Sequence, residues 1–360
     1  MKLKPKQAEK IIGAPEKTAE TVNLVYTTED QLTIRRRRHG RGYMYFENGK
    51  KIVDPKALER FKKLVIPPAW KNVRICPLPN GHLQVLGEDT KGRTQYRYHP
   101  HWNIVRNSTK FFRMLAFGKA LSAIRTQVKK DLKRRKPDKR KCLALVIRLM
   151  EETHIRIGSN YYAQKNQSYG LSTMRDKHVK HSGNTLKFEF TGKKGIKQSV
   201  EVEDKRLQKL VIQCEEIPGW ELFQYYDDEG KHHSIDSGMV NGYIQEISGD
   251  TFTAKDFRTW AASKIFLRSL IEFGEAKTKK ELEKNIVQAC SISAQKLGNT
   301  RHICKNYYIH PALIEKYLSG DLSPDLKEGK KNSSETIELD KLEKIMLHIL
   351  ENHSFEIELG

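Results

Sequence analysis

From residue 32 to residue 102, apolar side chains come in short runs rich in aromatic and branched residues, at 42–46, 73–76, 82–86 and 94–98. Turn-forming stretches separate them: Asn48-Gly49, Pro79-Asn80-Gly81 and Lys91-Gly92. Runs of this kind favour strands. Residues 55–64 read as one helix, opened by Pro55 and closed by Ile66-Pro67-Pro68. The expectation is a small α+β domain on an antiparallel sheet. Beyond residue 107 the apolar spacing lengthens to the helical period over 111–132, 140–153 and 259–273, without proline and with little glycine. Residues 205–216 and 237–247 are further helix candidates. A β segment interrupts them: 185–190 and 197–202 flank Gly192-Lys193-Lys194-Gly195, so a hairpin carries Lys193 and Lys194 at its tip. Residues 321–334 are polar and read as a linker, after which Leu339, Leu342, Ile345, Met346, Ile349 and Leu350 make a helical stripe.

The fold class is therefore α+β, divided near residue 105. It comprises an N-terminal extension over 1–30, an α+β domain over 31–105, a mostly helical domain over 106–320, and a linker with a C-terminal helix over 321–360. No internal repeat is visible.

Charge changes this picture. The 360 residues hold 66 Lys+Arg against 44 Asp+Glu, a formal net charge of +22. A chain this basic carries the footprint of a polyanion binder. Arg35-Arg36-Arg37-Arg38-His39-Gly40-Arg41 is one block, and residues 129–141 hold nine basic residues opposed by Asp131 and Asp138. The first twenty residues lack the apolar run of a secretory signal, and no stretch approaches the roughly 18 apolar residues of a membrane span. The five cysteines (Cys76, Cys142, Cys214, Cys290, Cys304) are scattered and include no Cys-x-x-Cys, which points to free thiols in a reducing compartment. A cytoplasmic protein with no membrane partner is expected.

The chemistry concentrates late in the chain. Leu297-Gly298-Asn299-Thr300 is followed nine positions after the asparagine by Tyr308, in Tyr307-Tyr308-Ile309-His310-Pro311. Upstream stand Arg156 in Arg-Ile-Gly-Ser, Lys193 in Thr-Gly-Lys-Lys-Gly, and Arg258 in Lys-Asp-Phe-Arg-Thr-Trp. A tyrosine oxygen can attack a phosphodiester while fixed cations and amide donors hold the charge that builds on the phosphate. Taken singly, each has a plainer reading: Arg156 as a surface ion pair, Lys193 as a solvated turn lysine, Tyr307 and Tyr308 as core aromatics. Arg258 falls where a turn gives way to a helix, and a cation there implies a nearby anion. His39, His302 and His310 have no ligand spacing, and there is no acidic cluster for magnesium and no Gly-x-x-x-x-Gly-Lys-[Ser/Thr] loop for ATP. No cofactor, metal or nucleotide is expected.

That residue set, in that order, resembles the active site of type IB DNA topoisomerases of the poxvirus and bacterial kind. The likeness continues through Ile66-Pro-Pro-Ala-Trp70, Gly81-His-Leu-Gln84, Gly92-Arg-Thr-Gln-Tyr-Arg-Tyr-His-Pro100, Gly170-Leu-Ser-Thr-Met-Arg-Asp-Lys-His178 and Thr253-Ala-Lys-Asp-Phe-Arg-Thr-Trp260, spanning roughly residues 30 to 318. It implies a two-domain clamp acting as a monomer on double-stranded DNA. Tyr308 would be the nucleophile forming a 3′-phosphotyrosyl link; Arg156, Arg258 and Asn299 would hold the phosphate oxygens; Lys193 would be the general acid. On the residues alone Lys194 is an equal candidate for that acid. Gln95, Tyr96 and Tyr98 would read the major groove, and Lys255 would add a DNA contact. Asn299 stands where poxvirus members have histidine. A tyrosine recombinase shares the same residue logic, and a non-enzymatic basic DNA-binding protein would share the same surface.

Overall fold

Several of the early strands are joined by turns that their sequences can make. The computed structural model describes residues 15–322 and 340–353, together with two short strands near the termini, the first at Lys2–Leu3 (β1). Helix α1 covers Pro15–Glu20. Strands β2 (Ile34–His39), β3 (Gly42–Glu47), β4 (Lys50–Lys51), β5 (Lys71–Ile75), β6 (Leu83–Glu88) and β7 (Thr94–Tyr98) form one antiparallel sheet in the order β4-β3-β2-β5-β6-β7. Asn48 and Gly49 both take positive φ, 48° and 81°, as a two-residue hairpin turn requires and as Asn-Gly supplies at little cost. Helix α2 (Pro55–Lys63) is capped by Asp54, which accepts from the backbone N–H of Lys56 and Ala57, with Pro55 in the first turn. It covers one sheet face, where Phe61 packs with Ile34, Val73, Ile75 and Val85.

Strand β2 is a departure from the sequence reading, which saw only charge at 35–41. Its arginines do not forbid a strand, because one face is solvated and the other is occupied by Ile34 and by a tied-down Arg36. The Arg36 guanidinium donates to the carbonyls of Ile66, Pro67 and Trp70 at 3.3, 3.1 and 2.9 Å and lies 4.1 Å from the Tyr43 ring centroid.

Helix α3 (Pro100–Leu132) begins eleven residues before the expected 111. The reason is packing. Its first turns bury Trp102 and Val105 with Ala19, Val22 and Leu24 in one cluster, whereas Phe117, Leu121 and Ile124 join a different core. The apolar stripe therefore changes partner midway. The chain packs as two units, one running to Arg113 and taking in the residues from His353, the other spanning Met114–Asn352.

The second unit continues with α4 (Lys139–Thr153), α5 (Asn160–Asn166), β8 (Val179–Ser182), β9 (Thr185–Thr191), β10 (Lys197–Val202), α6 (Lys205–Glu215), β11 (Gln224–Tyr226), β12 (His232–Ser234), α7 (Ser237–Ser248), α8 (Ala254–Phe273), α9 (Lys279–Lys296), α10 (Arg301–Tyr307), α11 (Pro311–Ser319) and α12 (Lys341–Glu351). The expected hairpin is present as β9–β10, and β8 extends it to three strands. Strands β11 and β12 form a second hairpin that the sequence reading did not include. Strand β13 (Phe355–Glu356) pairs antiparallel with β1. Of the expected 321–334 linker, only Asp321 and Leu322 fall among the described residues, and Leu339 also lies outside them.

Helix α12 is held by a buried carboxylate. Glu343, fully buried, accepts two bonds of 2.8 Å from Arg125 on α3, one of 3.0 Å from Trp260 Nε1 and one of 3.2 Å from Lys264 on α8. Gly118 makes room for that tryptophan: a Cβ there would fall 2.3 Å from the Trp260 ring and 2.8 Å from Leu347. All five cysteines are buried free thiols. No described helix is long and apolar enough to cross a membrane.

Candidate active site

Arg156 follows α4 by way of His154, whose φ of 56° turns the chain out of the helix. Its segment is fixed by a neighbouring 3-10 turn, Leu171–Thr173: Leu171 N–H donates to Arg156 O at 2.9 Å, and Ser172 N–H donates to Ile157 O at 2.7 Å. This approach needs glycine on both sides. A Cβ on Gly170 would lie 2.4 Å from Arg156 O and 2.5 Å from Gly158 N, and Gly158 itself has φ of 95°. The Gly170-Leu-Ser-Thr motif is thus the shelf under Arg156.

The Arg156 guanidinium donates to Asn299 Oδ1 and, at 3.5 Å, to Gly298 O. Asn299 is set by the end of α9, where its N–H donates to Ala294 O at 2.8 Å and Gly298 takes φ of 58°. Arg258 lies in the fifth position of α8. The sequence reading put it at the turn-to-helix junction, but Thr253 and Asp256 form a capping box that starts the helix at Ala254, a turn earlier. Arg258 is only 5% exposed. Its Nη1 donates to His154 O, and its Nη2 donates to Leu297 O at 2.7 Å.

Two donors are left over. Arg258 Nε and Asn299 Nδ2 are buried and have no hydrogen-bond partner among the described residues, a costly state unless something else satisfies them. Tyr308 stands beside them, half-buried just past α10, with the Arg258 guanidinium 5.8 Å from its ring centroid. The hydroxyl of Ser263, on α8, donates to Tyr308 O at 3.2 Å and accepts from His310 N–H at 2.9 Å, pinning the backbone around the tyrosine. Tyr307 points outward, 40% exposed.

Lys193 is exposed in the β9–β10 turn and lines a narrow cleft with Arg156, Gln198, Arg258 and Lys296. Lys194, next to it, takes φ of 64° and does not line that cleft. Burial, then the Arg156 charge, push Arg258 down to about 10, with Tyr308 opposing the fall. Burial, then the charges of Arg258 and Lys296, push His154 down to about 4, so it is neutral near pH 7. The site is therefore a cluster of cations with unsatisfied donors beside a phenol, an arrangement that attracts and orients an anion.

The expected groove readers lie in the first unit. On β7, Tyr96 and Tyr98 share a face and stack with centroids 6.1 Å apart. Gln95 is on the opposite face, its amide donating to Asp89 Oδ2 at 3.1 Å. Strand alternation separates what the sequence listed together. Lys255 is exposed in the first turn of α8. Among the described residues, no three His, Cys, Asp or Glu side chains gather as a metal site.

Sequence reasoning did not single out Gln198, Ser263 or Lys296. Ser263 had a signal, a small polar residue on the buried side of an apolar helix. Gln198 had none, since its place in the cleft and against Gly298, where a Cβ would lie 2.9 Å from Gln198 Oε1, comes only from tertiary packing.

Such a pocket is suited to an anion, with a tyrosine at hand. Comparison with known proteins makes this particular. Residues 99–335 match the family described as eukaryotic DNA topoisomerase I, catalytic core, and residues 42–89 match bacterial DNA topoisomerase IB, N-terminal domain. The chain is 33% identical over 282 residues to DNA topoisomerase 1B of Acanthamoeba polyphaga mimivirus, covering 76% of this chain and 84% of that protein. It is 24% identical over 237 residues to DNA topoisomerase I of monkeypox virus and to DNA topoisomerase 1B of vaccinia virus, in each case covering 65% of this chain and 72% of the relative. The chain belongs to the type IB DNA topoisomerase family, whose members are isomerases.

Proposed function

We propose that this topoisomerase relaxes supercoiled duplex DNA by the following transesterification. Tyr308 Oη attacks a backbone phosphorus, and its phenolic proton passes to solvent. A Tyr–O–P bond forms, the P–O5′ bond breaks, and Lys193 delivers a proton to the departing 5′-oxygen. The products are a 3′-phosphotyrosyl link and a free 5′-hydroxyl. Arg156, Arg258 and Asn299 hold the non-bridging oxygens while charge builds on them. One phosphoester replaces another, so religation is the reverse step and needs no nucleotide. Between the two steps the downstream duplex rotates.

The observation that carries this reading is the pair of orphaned donors, Arg258 Nε and Asn299 Nδ2, beside Tyr308. Phosphate oxygens are the acceptors that this reading supplies to them. The placement of Lys193, rather than Lys194, in the shared cleft supports it as the acid. The chain acts as a monomer clamped on the duplex, with no metal or ATP.

The test is a denaturing gel after an SDS quench. Wild type and Tyr307→Phe should leave protein covalently joined to nicked DNA, and both should relax plasmid in EDTA without ATP. Tyr308→Phe should bind duplex yet leave no adduct. An adduct that persists in Tyr308→Phe, or an absolute need for metal or ATP, overturns the mechanism.

A further inference from the structure

The register of the N-terminal sheet sorts the arginine block into two jobs. Phe46 on β3 faces Arg35 on β2, Arg35 faces Arg74 on β5, Arg74 faces Leu86 on β6, and Leu86 faces Tyr96 on β7. Residues directly opposite share a sheet face, so these five side chains form one row across the sheet. Arg37 lies on the same face two residues along, its guanidinium 4.9 Å from the Phe46 ring centroid. Arg36 faces the other way and is consumed by three backbone carbonyls. Arg74 is partly neutralised, bonded to Glu29 O at 3.1 Å and to its carboxylate at 3.5 Å. Arg35 and Arg37 are exposed, and neither has a carboxylate partner among the described residues.

We infer that Arg35 and Arg37, backed by Phe46, are a contact strip for the phosphate backbone of duplex DNA. The inference rests on the DNA-relaxing reading above and on Tyr96 facing the groove. Spacing supports it. Three strand intervals separate Tyr96 from Arg35, roughly 14 Å at about 4.8 Å each. The B-DNA major groove is about 12 Å wide, so a sheet with Tyr96 over the base edges sets Arg35 and Arg37 at a phosphate wall. Unpaired guanidinium groups, that of Arg37 bearing on Phe46, are suited to phosphate, which they bind through parallel N–H donors.

The experiment measures duplex affinity against salt with the full chain carrying Tyr308→Phe, so that no adduct forms. Removing two phosphate contacts with Arg35→Ala/Arg37→Ala should make the slope of log affinity on log salt shallower by about 1.8. The affinity gap to the parent should therefore narrow about 12-fold between 50 and 200 mM salt. Arg35→Lys/Arg37→Lys should keep the parental slope. Circular dichroism shows whether each variant is folded, and a second pair, Arg35→Gln/Arg37→Gln, serves if the alanines are not. A folded variant with the parental slope overturns the strip. Adduct formation by the same substitutions in the Tyr308 background tests the catalytic reading separately: adduct with an unchanged slope sinks only the strip, whereas no adduct even in the wild type sinks the mechanism.

Discussion

Replacing Arg258 by lysine keeps the charge and removes the geometry. The arginine uses its two terminal nitrogens on His154 O and Leu297 O and leaves Nε over for a ligand. A lysine ammonium is a single point and cannot serve two separate carbonyls and a phosphate oxygen together. Losing one preorganised donor of this type lowers the rate by about 10²–10³-fold, roughly 2.7–4 kcal/mol. Leaving one buried carbonyl unpaired costs stability of about 1–3 kcal/mol as well. For a unit of this size each kcal/mol moves the melting point by roughly 2–4 °C, so a fall of about 2–12 °C should accompany the rate loss. The assay is single-turnover cleavage at saturating DNA, on a duplex whose short downstream strand diffuses away once cut, with quenching in SDS. Thermal denaturation of the same sample reads the second effect. Should Arg258→Lys cleave within about threefold of the parent while folded, the orphaned Nε is not a donor in the reaction and the argument built on it fails.

Three other outcomes are expected. Lys193→Ala should slow cleavage by about 10²–10⁴-fold, and a substrate with sulfur at the 5′-bridging position should restore the rate, because a thiolate leaves without a proton; rescue of Lys194→Ala instead would move the acid by one residue. Asn299→Ala should slow cleavage on the order of 10²-fold, with Asn299→His keeping much of the rate, and single-turnover kinetics at parental rate in the alanine variant would reduce Asn299 to a turn residue. Glu343 is held at about 2 because Arg125, Lys264 and Trp260 outweigh the burial that alone would raise it. A depressed carboxyl contributes its stability above its ordinary value and loses it as pH falls towards the depressed one, so about 3 kcal/mol should disappear between roughly pH 4.5 and pH 2. Glu343→Gln should cost about 3–5 kcal/mol at pH 7 and flatten that acid dependence in urea titrations; equal midpoints for the two proteins at pH 7 would refute the buried network.

Much of the first unit was legible locally. Asn48-Gly49, the helix opened by Pro55 and the strand at 94–98 depend on a few adjacent residues, whose local chemistry acts before any tertiary contact forms. The helical stripe after residue 340 was legible for the same reason, since its apolar residues recur at the period of one helix face. Strand β2 was not legible, because its arginines satisfy a strand only when Ile34 has Phe61 to pack on and Arg36 has the carbonyls of 66–70 to bind. The early start of α3 was hidden by a stripe that serves two cores in succession.

The candidate site divides in the same way. Tyr308, Arg156, Lys193, Arg258 and Asn299 were named through the family resemblance, and residue types of this kind suit the chemistry of a phosphodiester. What the chain order does not contain is the coupling among them. Arg156 reaches Asn299 across 143 residues, Ser263 braces Tyr308 across 45, and Gly170 admits Arg156 only because no Cβ intervenes. Likewise Gln95 is adjacent to Tyr96 in the chain and on the opposite face of the sheet. Local sequence determines turns, caps and the inventory of reactive groups, since these depend on short-range sterics and bonding. Which buried donors stay unsatisfied, and which arginines of a run are structural and which are free, is decided only when distant segments pack and take up the hydrogen bonds that are available.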